Sequence, residues 1–91
     1  MTEQQLDIDL RQRVVDSVCA LLPRVIKRDL LRMSETTRLD ELDLTSAHML
    51  ELMLEIEDAL EIQVDVEEFE ETDAESVGTL ASYVAAHSLV G

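Results

Sequence analysis

The chain has almost none of the residues on which sheet-rich or disulfide-bonded small domains depend. Only two residues, Phe69 and Tyr83, are aromatic, and the chain contains one cysteine, one proline and two glycines. A single cysteine excludes an internal disulfide and cannot alone form a zinc site. The 46% of hydrophobic residues argues against disorder. An aliphatic core of this kind favours a small helical bundle over a sheet.

Positive charge is missing from more than half of the chain. All seven basic residues lie at or before Arg38, whereas 15 of the 21 acidic residues follow it, and the formal net charge is −14. Because phosphates need cations, we expect no nucleic-acid partner. Complementary charge instead favours partners with basic docking surfaces. Solubility alone is the alternative explanation of the acidity.

Long apolar runs are also missing. No run approaches the length of a membrane span, and residues 1–9 are polar and acidic, unlike a secretory signal. We therefore expect a cytoplasmic protein with no membrane partner. A chain of 91 residues suits one domain, so we expect residues 1–91 to form a single monomeric domain with its core at about residues 6–88.

Apolar residues recur at helical spacing in three segments. The spacing predicts a first helix over about residues 6–22, ended by Pro23, with Ile8 near its apolar face. A central helix follows over about residues 46–61, with Thr45 as N-cap. The last helix is predicted from the N-cap Ser76 to about residue 87.

The connections between these helices contain weaker signals. Residues 23–45 form a long connection in which apolar residues predict a short turn of helix over residues 28–33. A second helical turn is predicted over residues 67–71, with Phe69 facing inward, after a short extended link at residues 62–64. The predicted fold is an all-α four-helix bundle, with three main helices, one short helix and a long loop between the first two.

The central helix carries two apolar strips. The predicted core strip consists of Met49, Leu52, Met53, Ile56, Ala59 and Leu60. Glu51, Glu55 and Asp58 lie opposite the core strip. The second strip, Ala47, Leu50 and Leu54, is flanked by acidic residues, which are Glu51, Glu57, Asp58 and Glu61. An apolar strip with an acidic border predicts a partner-docking site, and burial of the helix on both sides is the alternative.

The candidate catalytic and metal-binding patterns each lack residues that their chemistry requires. His48 follows Ser46 by two residues, a spacing that points the two side chains apart on a helix. The two histidines have no partner at a metal-ligand spacing. Residues 40–51 have the length of a calcium loop, but Leu42 and Leu44 occupy ligand positions. We therefore expect no catalytic residue, no metal and no enzyme activity.

The segment Leu-Asp-Leu-Thr-Ser-Ala-His-Met-Leu-Glu-Leu, residues 42–52, resembles the attachment region of acyl carrier proteins. The resemblance continues through Glu-Ile-Glu-Asp and Ile-Gln-Val into Ser-Val-Gly-Thr-Leu, and spans about residues 39–84. It implies that Ser46 receives 4′-phosphopantetheine from coenzyme A through a phosphopantetheinyl transferase. The thiol of that arm would carry acyl groups among acyl-loading and ketosynthase- or acyltransferase-type enzymes with basic docking surfaces.

The resemblance also implies a recognition surface around Ser46, formed by Ala47, Leu50, Glu51, Leu54, Glu55, Glu57 and Asp58. Two positions depart from the family pattern, since Thr45 stands where aspartate is usual and Ala47 where leucine is common. These departures, and an end soon after the last helix, favour a discrete carrier of polyketide or other natural-product biosynthesis over housekeeping fatty-acid synthesis.

Two other classes remain open. A peptidyl or aminoacyl carrier usually has a glycine pair before the attachment serine, which residues 43–45 lack. A non-covalent acidic helical interaction module would share the charge pattern but not need the hydroxyl of Ser46, which would then be a simple residue of a helix N-terminus.

Overall fold

Three α-helices make up most of the computed structural model, which describes residues 2–30 and 32–89, with side chains for residues 8–30 and 32–88. The helices are α1 (Thr2–Ile26), α2 (Ser46–Leu60) and α3 (Val77–Ala86), and a 3₁₀ helix lies at Glu71–Ala74. Two short strands, β1 (Gln63–Val64) and β2 (Ser88–Leu89), form an antiparallel pair. The predicted small helical bundle is confirmed, and the strand pair is an addition to it.

The core lies where α1 packs against both α2 and α3. Its fully buried side chains are aliphatic: Val14, Val18, Leu22, Leu39, Leu52, Ile56, Val77, Leu80 and Val84. Burial of one such side chain contributes about 1.5–3 kcal/mol relative to leaving it exposed. The core strip predicted on α2 is confirmed at Leu52, Met53 and Ile56. It is wrong at Ala59, which is exposed.

Helix α1 is longer than predicted at both ends, since it begins at Thr2 and not at about residue 6. Pro23 does not end the helix, which continues to Ile26. The extra turn buries Val25 in the core, and this burial compensates for the N–H that proline lacks. Lys27 then adopts a left-handed conformation (φ 58°), and the N–H of Arg28 donates to the Pro23 carbonyl at 3.1 Å. This arrangement is a Schellman cap, which ends the helix.

The prediction that Ile8 lies near the apolar face of α1 is also wrong. The Ile8 side chain is 65% exposed, whereas Val14 and Val18 are fully buried. Among the side chains that the structure describes, the apolar stripe of α1 that packs against the core therefore begins at Leu10.

The long loop between α1 and α2 has no helix at residues 28–30 and 32–33, so the predicted turn over residues 28–33 is wrong. Leu31 lies outside the described residues. Leu30 and Met33 still pack against the core, because isolated side chains can be buried without a regular backbone. Leu39 is buried and Leu42 packs beside it, as predicted for the end of the loop.

Residues 35–39 of this loop run along the start of α3. The Val77 N–H donates to the Thr37 carbonyl at 3.0 Å, and the Gly78 N–H donates to the Glu35 carbonyl at 2.7 Å. Arg11 of α1 joins the same contact, donating from Nε to the Ser82 hydroxyl at 2.8 Å. The loop is therefore attached to α3 by its backbone and to α1 by the ion pair of Glu35 with Arg11.

The turn predicted over residues 67–71 is displaced along the chain. The 3₁₀ helix begins at Glu71, where the Asp73 carboxylate accepts a hydrogen bond from the Glu70 N–H at 2.9 Å. Phe69 does face inward, and its ring meets that of Tyr83 edge to face at a centroid distance of 5.1 Å.

Candidate functional site

The N-terminus of α2 is built around Thr45. Thr45 is extended (φ −87°, ψ 168°), and its hydroxyl accepts a hydrogen bond from the His48 N–H at 3.1 Å. In return, Nδ1 of His48 accepts a hydrogen bond from the Thr45 N–H at 3.2 Å. The predicted cap at Thr45 is confirmed, and His48 completes it as a capping box. Because Nδ1 is engaged in this bond, it is not a base for Ser46.

Ser46 is the first residue of α2, and its side chain is exposed. The first N–H groups of any helix lack intrahelical acceptors. Among the described residues, the N–H groups of Ser46 and Ala47 also have no acceptor outside the helix. The first turn contains no acidic side chain. The positive end of the α2 dipole is therefore accessible to an anion on Ser46.

A groove of about 710 Å³ lies between the start of α2 and residues 66–74, and Ser46 is part of its lining. Its apolar wall is formed by Leu39, Leu44, Met49, Leu50, Met53, Val66, Phe69 and Ala74. The sequence predicts Met49 and Met53 as core residues, and both do pack against the core. They also line the groove, so their flexible side chains lie at the boundary between core and surface.

The second apolar strip of α2 is exposed. Leu50 and Leu54 are 61% and 56% exposed, and Ala47 is exposed beside them. Their acidic neighbours Glu51 and Asp58 are also exposed, as is Glu55. Burial of α2 on both sides is therefore wrong, and the strip is available to a partner.

Glu57 differs from the other acidic residues of the predicted recognition surface. Its side chain is half-buried, and Oε2 accepts a hydrogen bond from the Val64 N–H at 2.8 Å. This bond connects α2 to β1. The Glu57 carboxylate therefore has a structural role that its place in an acidic run does not reveal.

Val66 is a site residue that the sequence interpretation missed. It is 51% exposed and lines the groove together with Leu50 of α2. The apolar surface beside Ser46 therefore includes a second segment of the chain. The only sequence signal for it is an apolar residue among acids, between Asp65 and Glu67.

The segment that carries Val66 is fastened to the end of α3. The Asp65 N–H donates to the His87 carbonyl at 3.0 Å, and the Tyr83 hydroxyl donates to the Asp65 carbonyl. Burial, and then the nearby Asp65 carboxylate, raise the pKa of the Tyr83 phenol, so the hydroxyl keeps the proton that it donates. The far wall of the groove thus depends on contacts with α3.

Metal ligation and membrane insertion find no support in the described part of the chain. Within residues 2–30 and 32–89, no three His, Cys, Asp or Glu side chains converge as metal ligands. None of the helices described there combines the length and the apolarity that a membrane span requires. The Cys19 thiol packs against the core, and burial raises its pKa, which keeps it protonated.

The family comparison agrees with this geometry. The family model described as "Phosphopantetheine attachment site" matches residues 16–84, which include α2, α3 and the groove. The chain belongs to this family, and is therefore a carrier protein that bears covalently bound 4′-phosphopantetheine. A comparison with curated proteins finds no match.

The residues around Ser46 fit such a group. An exposed hydroxyl can form the phosphodiester, and the free N–H groups of Ser46 and Ala47 can face its negative charge. The groove beside α2 also includes Ser46 in its lining. Carrier domains of this family are generally not catalytic, and they interact with phosphopantetheinyl transferases and biosynthetic enzymes.

Proposed function

We propose that this protein is an acyl carrier protein whose phosphopantetheine arm is attached to Ser46. The supporting observation is the position of Ser46, the exposed first residue of α2, at a helix end open to anions. When bound, the arm supplies a thiol that holds an acyl group as a thioester. The chain itself supplies the attachment point and the surfaces that partners recognise, and it acts without catalytic residues of its own.

The proposed docking surface is the exposed strip Ala47, Leu50 and Leu54 with its acidic border. The border consists of Glu51, Glu55, Glu57 and Asp58, of which Glu57 is partly committed to Val64. Partner enzymes with basic surfaces would be steered to this strip, and the apolar side chains would complete a small, short-lived interface. Val66 extends the strip across the groove.

An acyl cargo is preferred to a peptidyl or aminoacyl cargo. The three residues before Ser46 contain no glycine, so the turn lacks the glycine pair typical of peptidyl carriers. The apolar lining at Met49, Met53 and Phe69 suits a hydrocarbon chain. The pathway we propose is polyketide or fatty-acid-type synthesis, with acyl-loading, ketosynthase and acyltransferase enzymes as partners in the cytoplasm and the carrier as a monomer.

The test is an intact-mass measurement after incubation with coenzyme A, Mg²⁺ and a broad-specificity phosphopantetheinyl transferase. We expect one arm on the wild type and none on Ser46→Ala. Ser34→Ala is the matched control, since Ser34 is an exposed serine of the long loop, and it should accept one arm. Loading of the arm-bearing protein with acyl or aminoacyl groups then separates the two carrier types.

Attachment to Ser46→Ala would overturn the assigned site. No attachment to the wild type would be followed by Thr45→Asp, which keeps a capping side chain and restores the usual family residue. Attachment to that variant would show that Thr45 requires a dedicated transferase. Its failure as well would favour a non-covalent interaction module.

A further inference from the structure

Both ring nitrogens of His87 face hydrogen-bond acceptors. Nδ1 lies 3.0 Å from the Tyr83 carbonyl oxygen, and Nε2 lies 3.4 Å from Oε1 of Glu68. A neutral imidazole has only one N–H, so it can donate to only one of these two oxygens. The imidazolium donates to both. Protonation of His87 therefore satisfies both contacts, whereas loss of a proton leaves a nitrogen lone pair facing an acceptor.

The His87 ring also lies within the contacts that position the segment Asp65–Glu70. It stacks on Tyr83 at a centroid distance of 4.0 Å and an interplanar angle of 15°, and Tyr83 in turn contacts Phe69. The backbone of the segment is tied to the same place, because the Asp65 N–H donates to the His87 carbonyl. Among the contacts of the described residues, the Glu68 contact is the tie to the segment that depends on the charge of His87.

This segment forms the far wall of the groove beside Ser46, through Val66, Phe69 and Glu70. We infer that His87 is a pH-sensitive latch: its protonated ring holds the segment Asp65–Glu70 closed over the groove, and its deprotonation loosens that wall. The latch gives the groove a more open state at higher pH. A role of the latch in cargo access rests on the proposed carrier function. The latch itself is a property of the unmodified chain.

The direction of the pH dependence follows from the neighbours of His87. The hydrogen bond to the Tyr83 carbonyl is the largest influence and raises the pKa of His87 above the ordinary value of 6.5. Burial opposes this rise, and the Glu68 contact adds to it. The stabilisation is thus complete below the unfolded-state pKa and is lost as pH rises through the raised folded-state pKa. The charged groups around the ring are mixed: Asp65 and Glu68 on the segment, and Arg11, Glu35, Arg38, Asp73 and Glu75 along the polar groove that His87 also lines.

Amide hydrogen exchange resolved by residue between pH 5.5 and 8 tests the latch on the unmodified protein. After correction for intrinsic rates, protection of the amides of residues 65–70 should fall about two- to five-fold, the range available to a partly exposed ion pair. Amides of the α1–α3 core should show no such step. Glu68→Gln keeps a hydrogen-bond acceptor but removes the charge, and should reduce the step.

Two histidine variants make the assignment specific. His87→Phe keeps an aromatic ring on Tyr83 without a titrating group, and should abolish the step. His48→Gln removes the only other histidine while keeping a side chain suited to its capping position, and should retain the step. A step that persists in His87→Phe, or that is absent from the wild type, would overturn the latch. Neither result would bear on attachment at Ser46, because no arm is involved.

Discussion

Helices α2 and α3 begin with the same kind of cap but have opposite surroundings. In each, a Thr or Ser side chain accepts the N–H of the third helical residue, whose own side chain bonds back to the cap. At α3, the next free N–H groups are taken by carbonyls of the long loop, Thr37 and Glu35. At α2, the loop supplies no such carbonyls to Ser46 and Ala47 among the described residues.

Burial follows the same division. Six of the ten residues of α3 are buried, whereas α2 buries three of its 15. The comparison teaches that the capping residues specify where a helix begins but not whether its N-terminus is exposed. Contacts with the long loop determine that exposure, since the loop covers the start of α3 and leaves the start of α2 open. Most of α3 is thus committed to the core, whereas α2 leaves exposed the surface that we propose partners recognise.

The largest expected effect is a difference between the two helices in how much a leucine truncation lowers the free energy of unfolding. Leu80 of α3 is fully buried, so Leu80→Ala should lower the free energy of unfolding by about 2–5 kcal/mol. Leu54 of α2 is largely exposed, so the same truncation should change it by less than about 0.5 kcal/mol. Urea unfolding followed by circular dichroism measures both. Equal losses would mean that the α2 strip is not free in solution.

The contact between the loop and α3 gives the next largest effect. A Cβ on Gly78 would lie 3.0 Å from the Glu35 carbonyl oxygen and 3.1 Å from Nη2 of Arg11. Alanine normally stabilises a helix relative to glycine. Here the backbone oxygen cannot move without breaking its own bond to the Gly78 N–H, so Gly78→Ala should cost about 1–3 kcal/mol in the same urea assay.

Arg11→Ala provides the control for this prediction, because it removes the flexible neighbour but leaves the Glu35 carbonyl in place. The cost of Gly78→Ala should therefore largely persist in the Arg11→Ala background. A stabilising Gly78→Ala would contradict the close approach of the loop.

The helices were predictable because their signals are local. The caps at Thr45 and Ser76 combine with apolar residues at helical spacing, and each helix starts where its cap predicts. Ser46 was also predictable from local sequence. It directly follows the cap residue Thr45 and precedes the apolar strip with its acidic border in a single segment. The exposure of Leu50 and Leu54 was predictable from helical periodicity and charge.

The errors arose where distant residues decide the local conformation. Burial of Val25 against the other helices carries α1 through Pro23, and no pattern within α1 itself indicates this. The structural role of Glu57 depends on the fold of β1. The place of Val66 and His87 at the groove wall depends on contacts between residues 65–70 and α3, a pairing that one sequence does not contain.

The two caps themselves should contribute similar, smaller amounts. Thr45→Ala and Ser76→Ala each remove the acceptor of one helix N-terminus, and each should lower the free energy of unfolding by about 0.5–2 kcal/mol. His48→Gln should cost less, because glutamine at that position can complete a capping box. Thermal or urea unfolding of the three variants measures the order. A cost at only one cap would show that the two boxes are not equivalent.

The smallest effect on stability should accompany the clearest effect on partner encounter. Glu51→Lys and Asp58→Lys reverse exposed charges on α2, so each should leave the free energy of unfolding within about 0.5 kcal/mol of the wild type. The second-order rate constant of arm attachment by the transferase should fall about two- to ten-fold at low salt. Complementary surface charge as a whole raises association rates by about 10- to 1000-fold, and one reversed charge removes only part of that. Added salt should diminish the difference, since screening weakens exposed charge pairs. Asp9→Lys makes the same change in net charge on α1 and should slow attachment less. Equal slowing by Asp9→Lys would assign the effect to total charge, and α2 would then lose its distinction as the helix that partners recognise.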